Sequence, residues 1–392
     1  MVKNQVTKVG LVLPGGGARG AYQAGVLKAV SDMLPADHGN PFPVVTGTSA
    51  GAINAAVVAN NAMNFHQGIE DLVNVWGNFR CAQVYKSDAA YVAKMGAKWL
   101  AALTLGGLGP RNPHFLLNNA PLRDLLDSHL SFDRVRQAID AGVLDALAIT
   151  ASGYSQAKAL SFYMGSRDKA WQRARRAGVH TDIDLDHLMA SVAVPFVFPP
   201  VKIGEEYFGD GALREAAPLS PAIHLGANRL LVIGTRDEQT MDQPNPSVFD
   251  GHPPSFGHIA GYILDTIFLD GLYADLERLT RINRLVEAGA ETNFSVVDMH
   301  IIVPSKDIRE IANRHKEQFP RPVKTLMRGI GAYNSGGRPL ISYLLFEKTY
   351  CQELIDLGYH DAMLRKDRLL PFLLGDDVPA LDGPKHIREA LV

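Results

Sequence analysis

Phe42-Pro43-Val44-Val45-Thr46-Gly47-Thr48-Ser49-Ala50-Gly51 decides the reading of this chain. An apolar strand, Phe42 to Thr46, gives way to a small-residue helix, Ala50 to Ala59. Between them, Gly47-Thr48-Ser49-Ala50-Gly51 has the form G-x-S-x-G, a nucleophile elbow. A sharp strand-to-helix turn strains the serine backbone and exposes its hydroxyl. Side chains two residues either side of Ser49 would collide in such a turn, so glycine is required at Gly47 and Gly51. The pentapeptide alone is a weak signal. Its placement between strand and helix points to a serine acyl hydrolase.

A second glycine cluster lies upstream. Val9 to Leu13 reads as a buried strand ending at Pro14, followed by Gly15-Gly16-Gly17-Ala18-Arg19-Gly20 and a helical run from Ala21 to Val30. Glycines there leave backbone N–H groups unobstructed at a helix N-terminus, which suits a negative group. In a serine hydrolase that group is the oxyanion of the tetrahedral intermediate, and each preorganised donor is worth roughly 3 kcal/mol of barrier. Gly15, Gly17 and Gly20 also satisfy the dinucleotide pattern G-x-G-x-x-G. That pattern calls for an acidic residue at the end of the second strand. The second strand here runs straight into the serine elbow, and Asp37 falls before it in a Pro/Gly-rich loop.

The third element is Tyr207-Phe208-Gly209-Asp210-Gly211-Ala212, where Val201 to Glu206 forms one hairpin arm and Tyr207 opens the other. An aspartate between two glycines can present its carboxylate close to another backbone. An ordinary carboxyl with a pKa of about 3.9 is a feeble base for a serine hydroxyl. Desolvation, or serine deprotonation coupled to attack, would be needed.

Together these segments resemble the patatin-like phospholipase family. Gly15 to Gly20 match its oxyanion loop, with Arg19 at the basic position; Gly47 to Gly51 match its nucleophile motif; Asp210-Gly211-Ala212 match its base motif. Leu117 to Arg123, Ser191 to Pro200 and the late Leu354 to Tyr359 look similar as well. The resemblance implies hydrolysis of lipid acyl esters through an acyl-serine intermediate, with no metal ion and no cofactor. Ser49 would attack, Asp210 would take the proton, and N–H groups of Gly15, Gly16 and Gly17 would hold the oxyanion. Arg19 would either buttress the loop or meet substrate charge. The implied fold is a three-layer α/β/α sandwich with a mainly parallel central sheet and a mostly helical C-terminal extension. Residues 8–225 would form the catalytic domain, and 226–392 would complete or extend it.

Two enzymatic alternatives stay open. A Ser-acid-His order is met by His224, His258, His300 or His360, none in a recognisable motif. Acyl transfer from the same serine is the other.

Composition agrees with a globular enzyme. The 392 residues are 46% hydrophobic and 20% charged, enough for a sizeable core. A formal charge of −2 indicates no global attraction to nucleic acid or anionic lipid. The densest basic run, Arg167 to Arg176, reads as a solvated helix face, with a lipid-headgroup site as the alternative. Two cysteines, Cys81 and Cys351, give no disulfide framework and fit a reducing compartment. With no signal-like N-terminus and no 18-residue apolar run, cytoplasmic residence is expected, with transient peripheral membrane contact. The expected partner is a lipid or acyl-ester substrate; no nucleic acid is expected, and a homodimer is compatible with the sequence.

Further strands are expected at Asp145 to Thr150, Ala159 to Met164, Arg229 to Gly234 and Met299 to Val303. Arg236 to His258 reads as a loop or linker, and the tail from Leu374 as loosely ordered until a short terminal helix. Ile259, Ile263, Ile267, Leu272, Leu276, Leu279 and Leu285 approximate a helical stripe that reads as core-facing, with a dimer seam or a membrane face as the alternatives. Met95 to Pro110 reads as a packed helix and turn or as an apolar cover for the site. Asp182, Asp184 and Asp186 imitate a calcium loop, but His187 and Ala193 stand where glycine and glutamate are required. These aspartates cap a helix starting near Leu185 instead.

Overall fold

The computed structural model describes residues 7–104, 114–166, 170–237, 253–376 and 381–382. Its strands are β1 (Val9–Leu13), β2 (Val44–Thr48), β3 (Ala146–Gly153), β4 (Lys158–Gly165), β5 (Trp171–Gln172), β6 (Arg176–His180), β7 (Val201–Ile203), β8 (Glu206–Asp210), β9 (Arg229–Ile233), β10 (Asp298–Ile302) and β11 (Leu381–Asp382). They form one sheet in the order β11-β10-β9-β1-β2-β3-β4-β6-β5, with the β7–β8 hairpin attached to β3. From β11 to β3 every neighbour is parallel. The inner strands are apolar on both faces and wholly buried, as a sheet covered on two sides demands.

Alternation along the strands assigns the two faces. Leu11, Leu13, Val45, Leu147 and Ile233 point to the side covered by α1 (Gly20–Met33), α2 (Ala50–Asn60) and the Lys348–Met363 helix. Val12, Val44, Ala148, Leu230 and Val232 point to the Ser220–His224 and Gly271–Glu287 helices. The result is the expected three-layer sandwich around a mostly parallel sheet, with a helical C-terminal region. Strand β9 pairs with β1 and β10 with β9, so residues after 225 supply one wing of the same sheet.

Local expectations fared unevenly. Asp184 caps the Leu185–Ser191 helix, accepting from the N–H groups of Asp186 and His187. The basic run is no helix face: Trp171–Gln172 and Arg176–His180 are strands of an antiparallel edge ribbon, while 167–169 lie outside the described residues. Leu381–Asp382 pairs with Met299 and His300, and the expected terminal helix lies outside the described residues. So do 238–252 of the expected linker and 105–110 of the apolar cover; Met95 to Thr104 belong to the Ala89–Thr104 helix.

The isoleucine stripe is corrected. Ile259 and Ile263 are exposed, and the buried positions of the Phe256–Asp265 helix are Gly257, Gly261 and Leu264. A Cβ on Gly257 would lie 2.6 Å from the Ala332 nitrogen, and one on Gly261 2.9 Å from that of Leu340. Backbone-to-backbone packing at this crossing selects glycine for the inner face, and hydrophobicity alone picks the wrong side. After a π-helical stretch, Thr266–Asp270, the burial of Leu272, Leu276 and Leu279 follows the expected stripe, whereas Leu285 is exposed. Among the described residues no helix is long and apolar enough to cross a membrane. Cys81 and Cys351 are buried free thiols.

Candidate active site

Sheet register explains how three motifs distant in sequence can meet. β1 and β2 pair with Leu13 opposite Gly47, so the loop leaving β1 lies beside the turn leaving β2. β2 and β3 pair with Thr48 opposite Thr150, and β3 holds β8 with Ala151 opposite Asp210. Two lateral steps therefore bring Asp210 to the sheet end that carries Ser49. Open α/β sheets bind their ligands at this carboxyl end.

Ser49 has φ 55° and ψ −129°, a left-handed conformation for a residue with a side chain. Such a conformation costs about 1–3 kcal/mol and persists only where the surroundings enforce it. A Cβ on Gly47 would lie 2.3 Å from the Gly51 carbonyl oxygen, and one on Gly51 2.0 Å from that of Leu13. Gly51→Ala should lower stability by about 1–3 kcal/mol, read as a fall in Tm, because backbone must move to admit the methyl. The Ser49 N–H donates to Ser191 Oγ at 2.9 Å, and that hydroxyl donates to the Thr150 carbonyl at 2.7 Å.

Asp210 ends β8 and is 1% exposed. Its Oδ1 accepts from the Ala212 N–H at 3.0 Å, while the Gly211 carbonyl accepts from Ser152 Oγ at 2.9 Å. Among the described residues no hydrogen bond of ordinary geometry reaches Oδ2, yet the Ser49 hydroxyl is close enough to favour the carboxylate form. Both hold if the hydroxyl stands beside the carboxyl without being seated, an arrangement that tightens on substrate binding. Burial pushes the carboxyl up to about 7; Ser49 and Ala212 pull it back, and the charge of Glu215 adds to the rise. This is the desolvation that a carboxylate base for serine requires.

Gly15 packs on both Ser49 and the C-terminal region: a Cβ there would lie 3.0 Å from the Ser49 Cβ and 2.4 Å from the Phe268 ring. Gly17 has φ 55° and faces the Tyr343 carbonyl, 2.4 Å from where a Cβ would stand. Among the described residues none accepts a hydrogen bond from the N–H of Gly15, Gly16 or Gly17, whereas the Gly16 carbonyl accepts from the Arg19 N–H. Gly20 opens α1 against Trp76 and Ala50.

Arg19 is buried away from the cavity. Its Nε donates to Ser342 Oγ and an Nη to Asp265 Oδ1, each at 2.9 Å, and its guanidinium lies 3.9 Å from the Tyr343 ring centre. The Tyr343 hydroxyl donates to the same Asp265 oxygen at 2.8 Å. Arg19 thus ties the glycine loop to helices from the last third of the chain. Arg19→Lys keeps the charge but loses the fork and the stacking, and should cost about 1–3 kcal/mol in chemical denaturation.

A cavity of about 40 Å³ touches Ser49 and is otherwise lined by apolar groups such as Ile53, Leu122, Val194, Leu264 and Phe346. Among the described residues no histidine lines it. His224 stacks on Trp171, His258 lies against Gly336, His300 against Phe372, and His360 is exposed on the Lys348–Met363 helix.

Sequence reading missed Ser191, Asp265, Tyr343 and Glu215. Ser191 opens a stretch that resembles the family, a usable signal; the others carry no local motif.

A family model described as patatin-like phospholipase matches residues 11–223. Lysophospholipase nte1 of Aspergillus terreus is 37% identical, and that of Aspergillus niger 36%, over 97 residues. That segment is 25% of this chain and 5% of each fungal protein, so the chain matches only a small part of these relatives. The crystal structure of VipD from Legionella pneumophila aligns over 98% of this chain and 79% of its own, with 12% identity and a TM-score of 0.31. Since the family model spans more than half of its 392 residues, and since the glycine loop, serine elbow and buried aspartate all fall within the match, the chain belongs to the patatin-like phospholipase family.

Proposed function

We propose that this protein is a lipid acyl hydrolase cleaving carboxylic esters through an acyl-Ser49 intermediate. The observation that carries the reading is a strained serine beside a buried carboxyl titrating at about 7, on the wall of an apolar cavity. Ser49 Oγ bonds to the ester carbonyl carbon as its proton passes to Asp210. The oxyanion gathers N–H donors from the Gly15 to Gly17 loop. Collapse expels the alcohol, which takes the proton from Asp210. Water, deprotonated by Asp210, then attacks the acyl-serine; the acid leaves and Ser49 recovers its proton. The fungal lysophospholipases support a lysophospholipid or phospholipid ester as substrate.

The test is incubation with lysophospholipid, phospholipid and a short soluble ester, with analysis of released acid, beside intact-mass labelling by a fluorophosphonate. One adduct and released fatty acid support the reading. A folded protein that takes no adduct and releases no acid, with or without vesicles, rules it out. Added glycerol or thiol separates hydrolysis from acyl transfer by the product formed.

A volume of about 40 Å³ is far below the roughly 300 Å³ at which ligand pockets begin, so an acyl chain needs more room than the cavity holds. The Phe256–Asp265 helix contributes Leu264 to the cavity and turns Phe256, Ile259, Tyr262 and Ile263 outward. Such a two-sided helix suits contact with a lipid surface. Ile259→Asp with Ile263→Asp should cut turnover of zwitterionic vesicles roughly tenfold or more, at about 1–2 kcal/mol per buried side chain lost, and spare a short soluble ester. Equal loss on both substrates would sink the membrane role.

A further inference from the structure

Five residues after Asp210 the chain carries a second carboxyl that the mechanism above does not use. Glu215 follows the short turn Gly211–Leu213, its N–H donating to the Gly211 carbonyl at 3.2 Å. Its Oε2 accepts from Thr48 Oγ1 at 2.5 Å, and Thr48 is the residue immediately before the nucleophile. The Thr150 hydroxyl also supports the Glu215 carboxylate. Thr48 and Thr150 are paired neighbours on β2 and β3, and Ala151 is the partner of Asp210. Glu215 is therefore built into the same strand ends that place Ser49 and Asp210.

We propose that Glu215 is a positioning residue of this site: it fixes the elbow through Thr48 and lays a second carboxylate at the strand ends that hold Asp210. The inference rests on Ser49 and Asp210 acting as proposed above. What singles Glu215 out is its company. The groups that face it are Thr48, Thr150, Asp210 and, from the Gly271–Glu287 helix, Asp275. Asp275 has its own cations in Arg278 and Arg176. Among the described residues Glu215 forms no ion pair. A half-buried carboxylate held by neutral hydroxyls beside another carboxyl is poor as a stability device. As an electrostatic device it has a clear use, since a like charge disfavours the ionised form of its neighbour.

The order of ionisation follows from the surroundings. Burial raises the Glu215 carboxyl and Asp275 adds to the rise, while the Thr48 and Thr150 hydroxyls oppose it. Asp210 is 1% exposed and has one well-formed donor, the Ala212 N–H, with Ser49 standing near. Glu215 thus loses its proton first and is charged when Asp210 titrates. Tyr154 also senses the Asp210 charge, and its phenol, pushed up first by burial, stays neutral in that range.

The experiment follows the rate of Ser49 labelling by a fluorophosphonate against pH, which needs no knowledge of the natural ester. Wild type should show an acidic limb near the Asp210 midpoint of about 7. Glu215→Gln keeps an acceptor for Thr48 and removes the charge, so its limb should move down by about one pH unit. Glu215→Asp keeps the charge and should hold the limb at the wild-type position. Should Glu215→Gln not fold, Glu215→Ala is the neutral variant to use. A limb unmoved in a folded neutral variant, or moved equally by Glu215→Asp, overturns the role of Glu215 while leaving the nucleophile intact. Absence of any labelling of wild type would instead strike the acyl-hydrolase reading itself.

Discussion

Ser49→Ala should reduce ester hydrolysis by roughly 10⁴-fold or more and abolish the fluorophosphonate adduct, with no loss of stability. The first half follows from the proposed covalent catalysis, in which removing the nucleophile leaves only binding and the oxyanion donors to act on the ester. The second half follows from the backbone. At φ 55° any side chain is strained, so alanine inherits the cost that serine already bears. Ser49→Gly should be more stable than either by about 1 kcal/mol, because glycine adopts this conformation freely. Circular dichroism, thermal unfolding and intact mass on the three proteins decide it. Retained labelling in Ser49→Ala would place the reactive group elsewhere.

How much of this was readable in advance depended on whether a backbone demand fell on consecutive residues. The elbow was legible because one tight turn imposes glycine at Gly47 and Gly51 around a serine, and β1 was legible because a strand buried on both faces becomes a continuous apolar run. The glycine loop was legible for the same local reason. Strand order was not, because nothing in the sequence states that Thr48 lies opposite Thr150 or Ala151 opposite Asp210. Contacts from the last third of the chain were hidden for a related reason. Arg19 meets Asp265 some 246 positions away, and Ser342 some 323 away. Each is one polar residue in an ordinary helix until the fold brings them together. The Phe256–Asp265 helix shows the opposite failure, where a plausible pattern of isoleucines competed with two glycines whose meaning is visible only at the crossing with Ala332 and Leu340. Glu215 escaped because a carboxylate after a turn looks like solvated surface, and only its bond to Thr48 marks it as part of the site.

Asp210→Asn should lose activity and gain stability in the same protein. Burial of Asp210 lifts its carboxyl from 3.8 to about 7, with Ser49 and Ala212 opposing the rise and Glu215 adding to it. In the unfolded chain the same carboxyl releases its proton near pH 4. Between these values the folded state binds more protons than the unfolded state, so stability falls as pH rises through that window. Below it the carboxyl is neutral in both states and costs nothing; above about pH 7 the whole cost of holding a buried anion is present, at most about 4 kcal/mol. Asparagine cannot ionise and can still accept from the Ala212 N–H. The variant should therefore match wild type near pH 4 and exceed it at pH 8, by up to about 4 kcal/mol in chemical denaturation. Hydrolysis should fall by about 10²–10⁴-fold if Asp210 is the proposed base, since among the described residues no other group is placed to take the Ser49 proton. A variant less stable than wild type at pH 8 would mean that Asp210 is held as a structural anion. A stable variant that still hydrolyses esters would hand the role of base to another residue. The opposed signs matter because general damage lowers activity and stability together, whereas removing a desolvated base lowers one and raises the other.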